Sequence, residues 1–201
     1  MTQEAPPTST LDLAAEFLDR RTPLDRIRGL LHRYPAISPS LVLVLSIIVF
    51  GAINPRFFAP ANLSLILDQV SVVGTVAVAQ TLIILTAGID LSVGAAMILA
   101  SMVMAQTATQ NGLPAPLALF MGLLAALAAG ALNGFLVTRV KLPPFIATLG
   151  TLNVFIALTL LYSGGQTIRK ADMPDLLTWT ATAFPIGDVR LTVGVMIMLL
   201  L

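Results

Sequence analysis

The stretch QTLIILTAGIDLSVGAAMILASMVMA, residues 80–105, places one carboxylate, that of Asp90, between two long apolar runs. These runs extend from Gln69 to Ala105, roughly 37 residues, or ~55 Å as one continuous helix. The hydrocarbon core of a bilayer is about 30 Å thick, so the stretch predicts two helices joined by a very tight turn. We expect the turn at residues 87–90, with Gly88 taking the unusual backbone angles and Asp90 accepting hydrogen bonds from the N–H groups of the next helix.

Two interpretations of Asp90 stay open at this point, and they are compatible. An ionisable residue inside a membrane segment is costly and typically marks a break in the helices at or near a pathway through the membrane. The same residue could instead serve only as the N-cap of a helix that begins at the water interface.

The composition predicts an integral membrane protein. The chain has 201 residues, of which 57% are hydrophobic and 10% are charged, whereas a soluble domain is nearer ~25% charged. The apolar runs are continuous and do not alternate, which favours helices over a barrel. The absence of cysteine excludes disulfides and thiolate metal sites.

Motifs that would carry enzymatic chemistry are absent from the sequence. No phosphate-binding GxxxxGK[ST] loop is present, and neither HExxH nor GxSxG occurs. We therefore expect a protein that is not an enzyme and has no ATPase site of its own.

The hydropathy pattern predicts an all-α, polytopic transmembrane helical bundle with about five complete spans plus the start of a sixth. The five complete spans are expected at residues 37–53, 62 or 64 to 86, 91–105, 117–138 and 145–162. The sixth apolar run, residues 191–201, covers about 16 Å as a helix, half a bilayer, which predicts truncation at the C-terminus. The domain prediction is a cytoplasmic N-terminal segment at 1–36 and a transmembrane domain, incomplete at its C-terminus, at 37–201.

The positive charges predict the orientation. Five arginines precede the first span: Arg20, Arg21, Arg26, Arg28 and Arg33. Because basic residues favour the cytoplasmic side, we expect a cytoplasmic N-terminus, and Arg139 with Lys141 then fits another inner loop. Residues 22–33 are compatible with an amphipathic helix on the lipid surface or with a disordered tail. No aromatic or second basic patch supports nucleic-acid binding.

Small and polar residues within the spans predict how the helices pack. Gly122, Ala126, Gly130 and Gly134 follow one another at intervals of four, which favours close helix contact, either internal or between subunits. Gln80 and Asn133 are neutral polar groups in mid-span. Each is expected to hydrogen-bond a neighbouring helix or to line a path.

Two ordered motifs resemble a known family. ILTAGIDLSVGA (84–95) resembles the GGIDLSVG signature of the inner-membrane permeases of bacterial sugar ABC importers of the ribose/xylose/arabinose type, with Ala87 in place of the first glycine. NGFLVTRVKLPPFIATLGTLNV (133–154), followed by SGGQTI (163–168), resembles the family's second signature. FFAPANLSLILDQVSVVG (57–74) is similar too.

The resemblance implies a permease subunit in the bacterial inner membrane that forms the path for a monosaccharide or related polyol. The implied partners are a second permease copy, cytoplasmic ATPase subunits, a periplasmic sugar-binding protein and membrane lipid. No cofactor or metal would be held by this chain, because ATP would bind the partner ATPase. The expected path residues are Gln80, Gly88, Asp90 and Asn133.

Two other functions remain open. An ATP-independent carrier or channel would also use an intramembrane charge such as Asp90 and broken helices. The second is a truncated product that inserts into the membrane and pairs with another helix but transports no solute.

Overall fold

The computed structural model describes residue 29 and residues 31–201. It divides the chain into two compact units, Met1–Phe58 and Ala59–Leu201, which are described separately. Four of the five N-terminal arginines and most of the predicted amphipathic helix lie outside the described residues.

The first unit contains helix α1, Ile37–Ile53, with the bounds predicted for the first span. The helix ends at Asn54, whose side-chain Oδ1 accepts the Arg56 N–H at 3.0 Å. Phe57 then stacks on Phe50 and makes an edge contact with Phe58. None of the residues of α1 is buried within the chain, as expected of a helix whose apolar surface faces lipid or another protein.

Four apolar helices dominate the second unit, and they lie within about one turn of the predicted spans. They are α2 (Pro60–Leu85), α3 (Val93–Thr109), α4 (Ala115–Thr138) and α5 (Pro144–Ser163). A proline occupies the first or second position of α2, α4 and α5, where a missing N–H costs no helical hydrogen bond. By length and composition these three can cross a membrane, whereas α1 and α3 are apolar helices of 17 residues.

The segment after α5 contains secondary structure that the sequence analysis did not predict. It contains the short helix α6 (Asp175–Thr178) and a two-stranded antiparallel hairpin of β1 (Ala183–Ile186) and β2 (Val189–Thr192). Gly187, with φ 61°, begins the two-residue turn of the hairpin, where glycine tolerates a positive φ. Helix α7, Val193–Leu200, follows directly. The all-α prediction is confirmed for the bundle, and the hairpin was not predicted.

Helices α3, α4 and α5 pack around a small apolar core of Ala95, Ala129 and Phe155. Helix α2 packs instead against the hairpin and α7, with Gly74 lying against Met198. Short connections make successive helices antiparallel, so the unit has two ends. The turn end carries residues 86–92 and 139–143, and the hairpin end carries residues 110–114 and 164–192.

The predicted ridge of small residues on α4 does not act as one surface within this chain. Gly122 is buried, and a Cβ added there would lie 2.8 Å from the Met104 Cβ of α3. Ala126, Gly130 and Gly134 are exposed, and open space surrounds the two glycines. The reason is that steps of four residues rotate 400° about a helix, so three steps wind the row by about 120°. For the three exposed positions, close packing stays a prediction about another chain or segment.

Candidate functional site: a polar cluster at the turn between α2 and α3

The left-handed backbone angles of the turn between α2 and α3 occur at Ala87 and not at Gly88, where the sequence analysis expected them. Ala87 has φ 57°, in the left-handed region, whereas Gly88 does not have a positive φ. The expectation that Gly88 supplies these angles is therefore wrong. Gly88 is needed for close approach instead, because an added Cβ would lie 3.1 Å from Ile83 Cγ2 and 3.3 Å from the Ile83 carbonyl oxygen.

Asp90 fixes the approach to α3 without capping the helix itself. Its Oδ1 accepts hydrogen bonds from the Ser92 N–H at 2.7 Å and from the Ser92 hydroxyl at 2.8 Å. Ser92 occupies the N-cap position of α3, and Asp90 lies two residues before it. The expectation that the Asp90 carboxylate accepts an N–H group where the next helix begins is confirmed. An aspartate that bonds the backbone two residues ahead forms a local turn, and this turn sets the direction in which the chain enters the helix.

A chain of side-chain hydrogen bonds leads from Asp90 into the helical core. The Asn133 amide of α4 donates to the Ser92 hydroxyl oxygen at 2.6 Å, and its Oδ1 accepts from the Thr151 hydroxyl of α5 at 2.7 Å. Ser92 has no exposed surface, and Asn133 and Thr151 are also buried. Buried polar groups must be paired to avoid a large desolvation cost, and here each one pairs across a helix boundary.

Thr148 holds the backbone on both sides of Asp90. Its hydroxyl oxygen accepts the Leu91 N–H at 3.2 Å and lies 3.2 Å from the Ile89 carbonyl oxygen. The single hydroxyl proton is shared between that carbonyl and the Pro144 carbonyl of its own helix at 2.8 Å. One buried side chain of α5 thus satisfies groups of an irregular backbone that lipid could not satisfy.

Gln80 joins α2 to the same turn. Its Nε2 donates to the Asp90 carbonyl oxygen at 3.1 Å. Its Oε1 is buried and has no hydrogen-bond partner in the part of the chain that the structure describes. A buried acceptor without a donor costs about 1–3 kcal/mol, so this oxygen is an open hydrogen-bonding position of the cluster.

The cluster lies below the ends of the neighbouring helices. Gln80 and Asn133 each precede the last residue of their helix by five positions, which is about 8 Å along the axis. The turn therefore re-enters the bundle, with Asp90 bonded at the level of these two side chains. Irregular backbone at membrane depth is tolerated where protein surrounds it or where it lines a cavity.

The six side chains of this turn cluster are Gln80, Asp90, Ser92, Asn133, Thr148 and Thr151. Three of them were sequence candidates, and the structure brings those three together next to Gly88. Ser92, Thr148 and Thr151 were not assigned to the site. Their only sequence signal was polarity within apolar spans.

The turn cluster contains one carboxylate among neutral hydroxyls and amides. Such groups support the turn by hydrogen bonding. No group of three or more His, Cys, Asp or Glu side chains that could hold a metal occurs among the described residues. That this chain holds no cofactor stays a prediction, as does the role of these residues in a substrate path.

Comparison with known proteins shows to which family the helical bundle around this cluster belongs. Residues 62–201 match the protein family described as branched-chain amino acid transport system / permease component. The chain belongs to this family. The permease is 45% identical over 197 residues to a fructose import permease protein of Rhizobium meliloti, covering 96% of this chain and 55% of that protein.

Other relatives carry similar descriptions. The permease is 41% identical over 132 residues to a ribose import permease protein of Bacillus subtilis, covering 66% of this chain and 41% of that protein. It is 38% identical over 128 residues to a D-allose transport system permease protein of Escherichia coli, covering 63% of this chain and 39% of that protein. The chain thus spans about half the length or less of these curated relatives. No solved structure matches the permease.

These matches confirm the family resemblance that the two motifs indicated. Together with the apolar helices, they identify a multi-pass inner-membrane protein of a transport family, and not an enzyme.

Proposed function

We propose that the permease forms the membrane path of an ABC importer for a monosaccharide or related polyol. The observation that carries this proposal is the 45% identity, over 96% of the chain, to a fructose import permease protein. The ribose and D-allose relatives support the same substrate class.

The energy for transport comes from other chains in this proposal. The sequence contains no phosphate-binding GxxxxGK[ST] loop, so cytoplasmic ATPase subunits bind and hydrolyse ATP. A periplasmic sugar-binding protein delivers the solute, and a second permease copy forms the other wall of the path.

The orientation follows from charge. Arg139 and Lys141 lie at the turn end, and basic residues favour the cytoplasmic side, so the turn end faces the cytoplasm and the hairpin end faces the periplasm. The N-terminal arginines support a cytoplasmic N-terminus by the same rule. The basic residues of the hairpin end belong to a long segment, in which this bias is weak.

The turn cluster keeps the break between α2 and α3 rigid while the helices tilt. Asp90 and Gly88 maintain the turn, and Asn133 ties it to α4. Gln80 holds the Asp90 carbonyl, and its buried Oε1 becomes accessible to a solute hydroxyl only when the helices tilt.

The test measures sugar uptake in cells that produce the permease together with an ATPase subunit and a sugar-binding protein of the same importer. Asp90→Asn keeps the Oδ1 that accepts both bonds from Ser92, so the turn survives and only the charge is lost. We expect lower uptake with normal membrane insertion. Asp90→Ala removes both bonds as well and should lower uptake and folded yield together.

Asp175→Asn, an exposed carboxylate outside the cluster, is the matched control and should leave uptake unchanged. Normal uptake by Asp90→Asn would show that the charge has no part in transport. Sugar accumulation by the permease without any ATPase subunit would overturn the importer proposal in favour of an ATP-independent carrier.

A further inference from the structure

A second polar site lies at the hairpin end, at the opposite end of α2 from the turn cluster. A cavity of 480 Å³ opens between the first turns of α2 and the β1–β2 hairpin. Its polar lining consists of Ser64, Asp68, Asp188, Arg190 and Thr192, and alanine and leucine side chains complete the wall. Cavities of about 300–1,000 Å³ are of the size that holds small molecules.

The hairpin is fastened to α2 by hydrogen bonds on the floor of this cavity. The Thr192 hydroxyl donates to Asp68 Oδ1 at 2.7 Å, and the Arg190 backbone N–H donates to the Ser64 hydroxyl at 2.9 Å. Thr192 is buried and Asp68 is half-buried. The cavity is therefore preformed, because its two walls are joined by specific bonds.

Charged side chains that line the cavity are available to bind a ligand. Asp188 and Arg190 are exposed, and in the described part of the chain neither side chain makes an ion pair or hydrogen bond. Only Oδ1 of Asp68 accepts a hydrogen bond there, which leaves Oδ2 free. The cavity thus presents carboxylate acceptors and guanidinium donors together.

This combination fits a solute with many hydroxyl groups. Each hydroxyl donates one hydrogen bond and accepts others, so it can pair with a carboxylate and a guanidinium at once. Bonds to ionised partners are stronger than neutral ones, and a neutral solute requires no balance of charge.

We propose that this cavity is an outward-facing reception site for a neutral polyhydroxylated solute of monosaccharide size. The inference rests on the proposed function for its substrate class and for the side of the membrane. Asp68 and Asp188 accept from solute hydroxyls, and Arg190 donates to them. The solute would meet this site before it reaches the turn cluster at the opposite end of the helices.

The chain contains its own reporter for this binding. Trp179 is its single tryptophan, is 48% exposed, and lies two residues before Ala181 in the cavity wall. The purified permease in lipid nanodiscs is titrated with D-fructose, D-ribose and D-allose while tryptophan emission is followed. We expect a saturable change with at least one of these sugars and none with L-leucine.

Variants locate the binding. Asp188→Asn and Arg190→Gln should each weaken sugar binding about tenfold or more. Neither side chain holds the fold, and the bond from the Arg190 backbone to Ser64 persists, so thermal stability should be unchanged. Arg169→Gln, in the same segment but outside the cavity lining, should bind sugar as the parent chain does.

Three results would overturn the reception site: no saturable signal with any of the sugars, equal affinity in the cavity variants and the parent chain, or saturation by L-leucine alone. The uptake assay separates this failure from failure of the proposed function. Normal uptake by both cavity variants, together with unchanged binding, removes only the reception site. Absence of uptake by the parent chain with all its partners removes the importer function, whatever the cavity binds.

Discussion

Replacing Asn133 with leucine tests whether the turn cluster stabilises the helical core. Asn133 is 8% exposed and links α4 to Ser92 and Thr151 through bonds of 2.6 and 2.7 Å. Leucine has the same branching at Cγ, although its two methyl groups are larger than the amide atoms, and it can make neither bond. The substitution therefore removes the hydrogen bonding while it keeps the shape of the side-chain skeleton.

The expected cost follows from what the partners can do afterwards. The Ser92 hydroxyl keeps its bond to Asp90, and the Thr151 hydroxyl can turn fully to the Thr148 carbonyl oxygen, which lies 3.3 Å away. Side-chain hydrogen bonds between membrane helices contribute about 0.6 kcal/mol on average and at most about 1.7 kcal/mol. For the two lost bonds we expect the free energy of unfolding to fall by about 1–2 kcal/mol.

Equilibrium unfolding in mixed micelles measures this difference. Asn153→Leu is the matched control, because Asn153 is exposed and, among the described residues, bonds only the Leu149 carbonyl of its own helix at 2.9 Å. It should change the free energy of unfolding by less than about 0.5 kcal/mol. Thr151→Val leaves the buried Asn133 Oδ1 without its donor, so it should lower the free energy of unfolding by about 1–3 kcal/mol, at least as much as Asn133→Leu. Equal effects of leucine at 133 and at 153 would refute the stabilising role of the cluster.

Three further substitutions probe other parts of the fold. Gly122→Leu should lower the free energy of unfolding by about 1–3 kcal/mol or prevent folding, because the new side chain would clash with α3. Gly130→Leu should change the free energy of unfolding little in the isolated chain, because open space surrounds Gly130. Similar effects at both positions would contradict the described packing. Ala87→Gly should raise the thermal midpoint, since a left-handed alanine costs about 1–2 kcal/mol and glycine avoids most of that cost, and a lowered midpoint would argue against a positive φ at this position. Thr192→Val should destabilise by about 1 kcal/mol, because it breaks the bond to Asp68, and should speed proteolytic cleavage within the hairpin; an unchanged cleavage rate would show that this bond does not hold the hairpin.

The helices could be predicted because their signals are local. The apolar runs are longer than those of helices and strands in soluble proteins. Prolines such as Pro60 and Pro144 mark where helices begin. The hairpin could not be predicted, because its strands have four residues each and one contains Pro185. It is held by Ser64 and Asp68, more than a hundred residues earlier in the chain.

The site was predictable in part for the same reason. Asp90 stands out as a charge within apolar sequence, and Gln80 and Asn133 as amides. Thr148 could not be assigned, because ordinary hydroxyls are common in membrane helices and only the packing of α5 on the turn shows what this one contacts. Ala87 was missed because intrinsic preference favours glycine at positive φ, and the adjacent Gly88 is reserved for its contact with Ile83.

The uneven attachment of α2 has a mechanical consequence. On its hairpin side α2 is fastened to β2 and α7, while across the turn it reaches the α3–α4–α5 group through one side-chain bond in the described chain, from Gln80 to the Asp90 carbonyl. Any rocking of α2 together with the hairpin would therefore strain the Gln80 bond before the links among Asp90, Ser92, Asn133 and Thr151. Gln80 is thus the side chain through which a tilt of α2 would be transmitted to the turn.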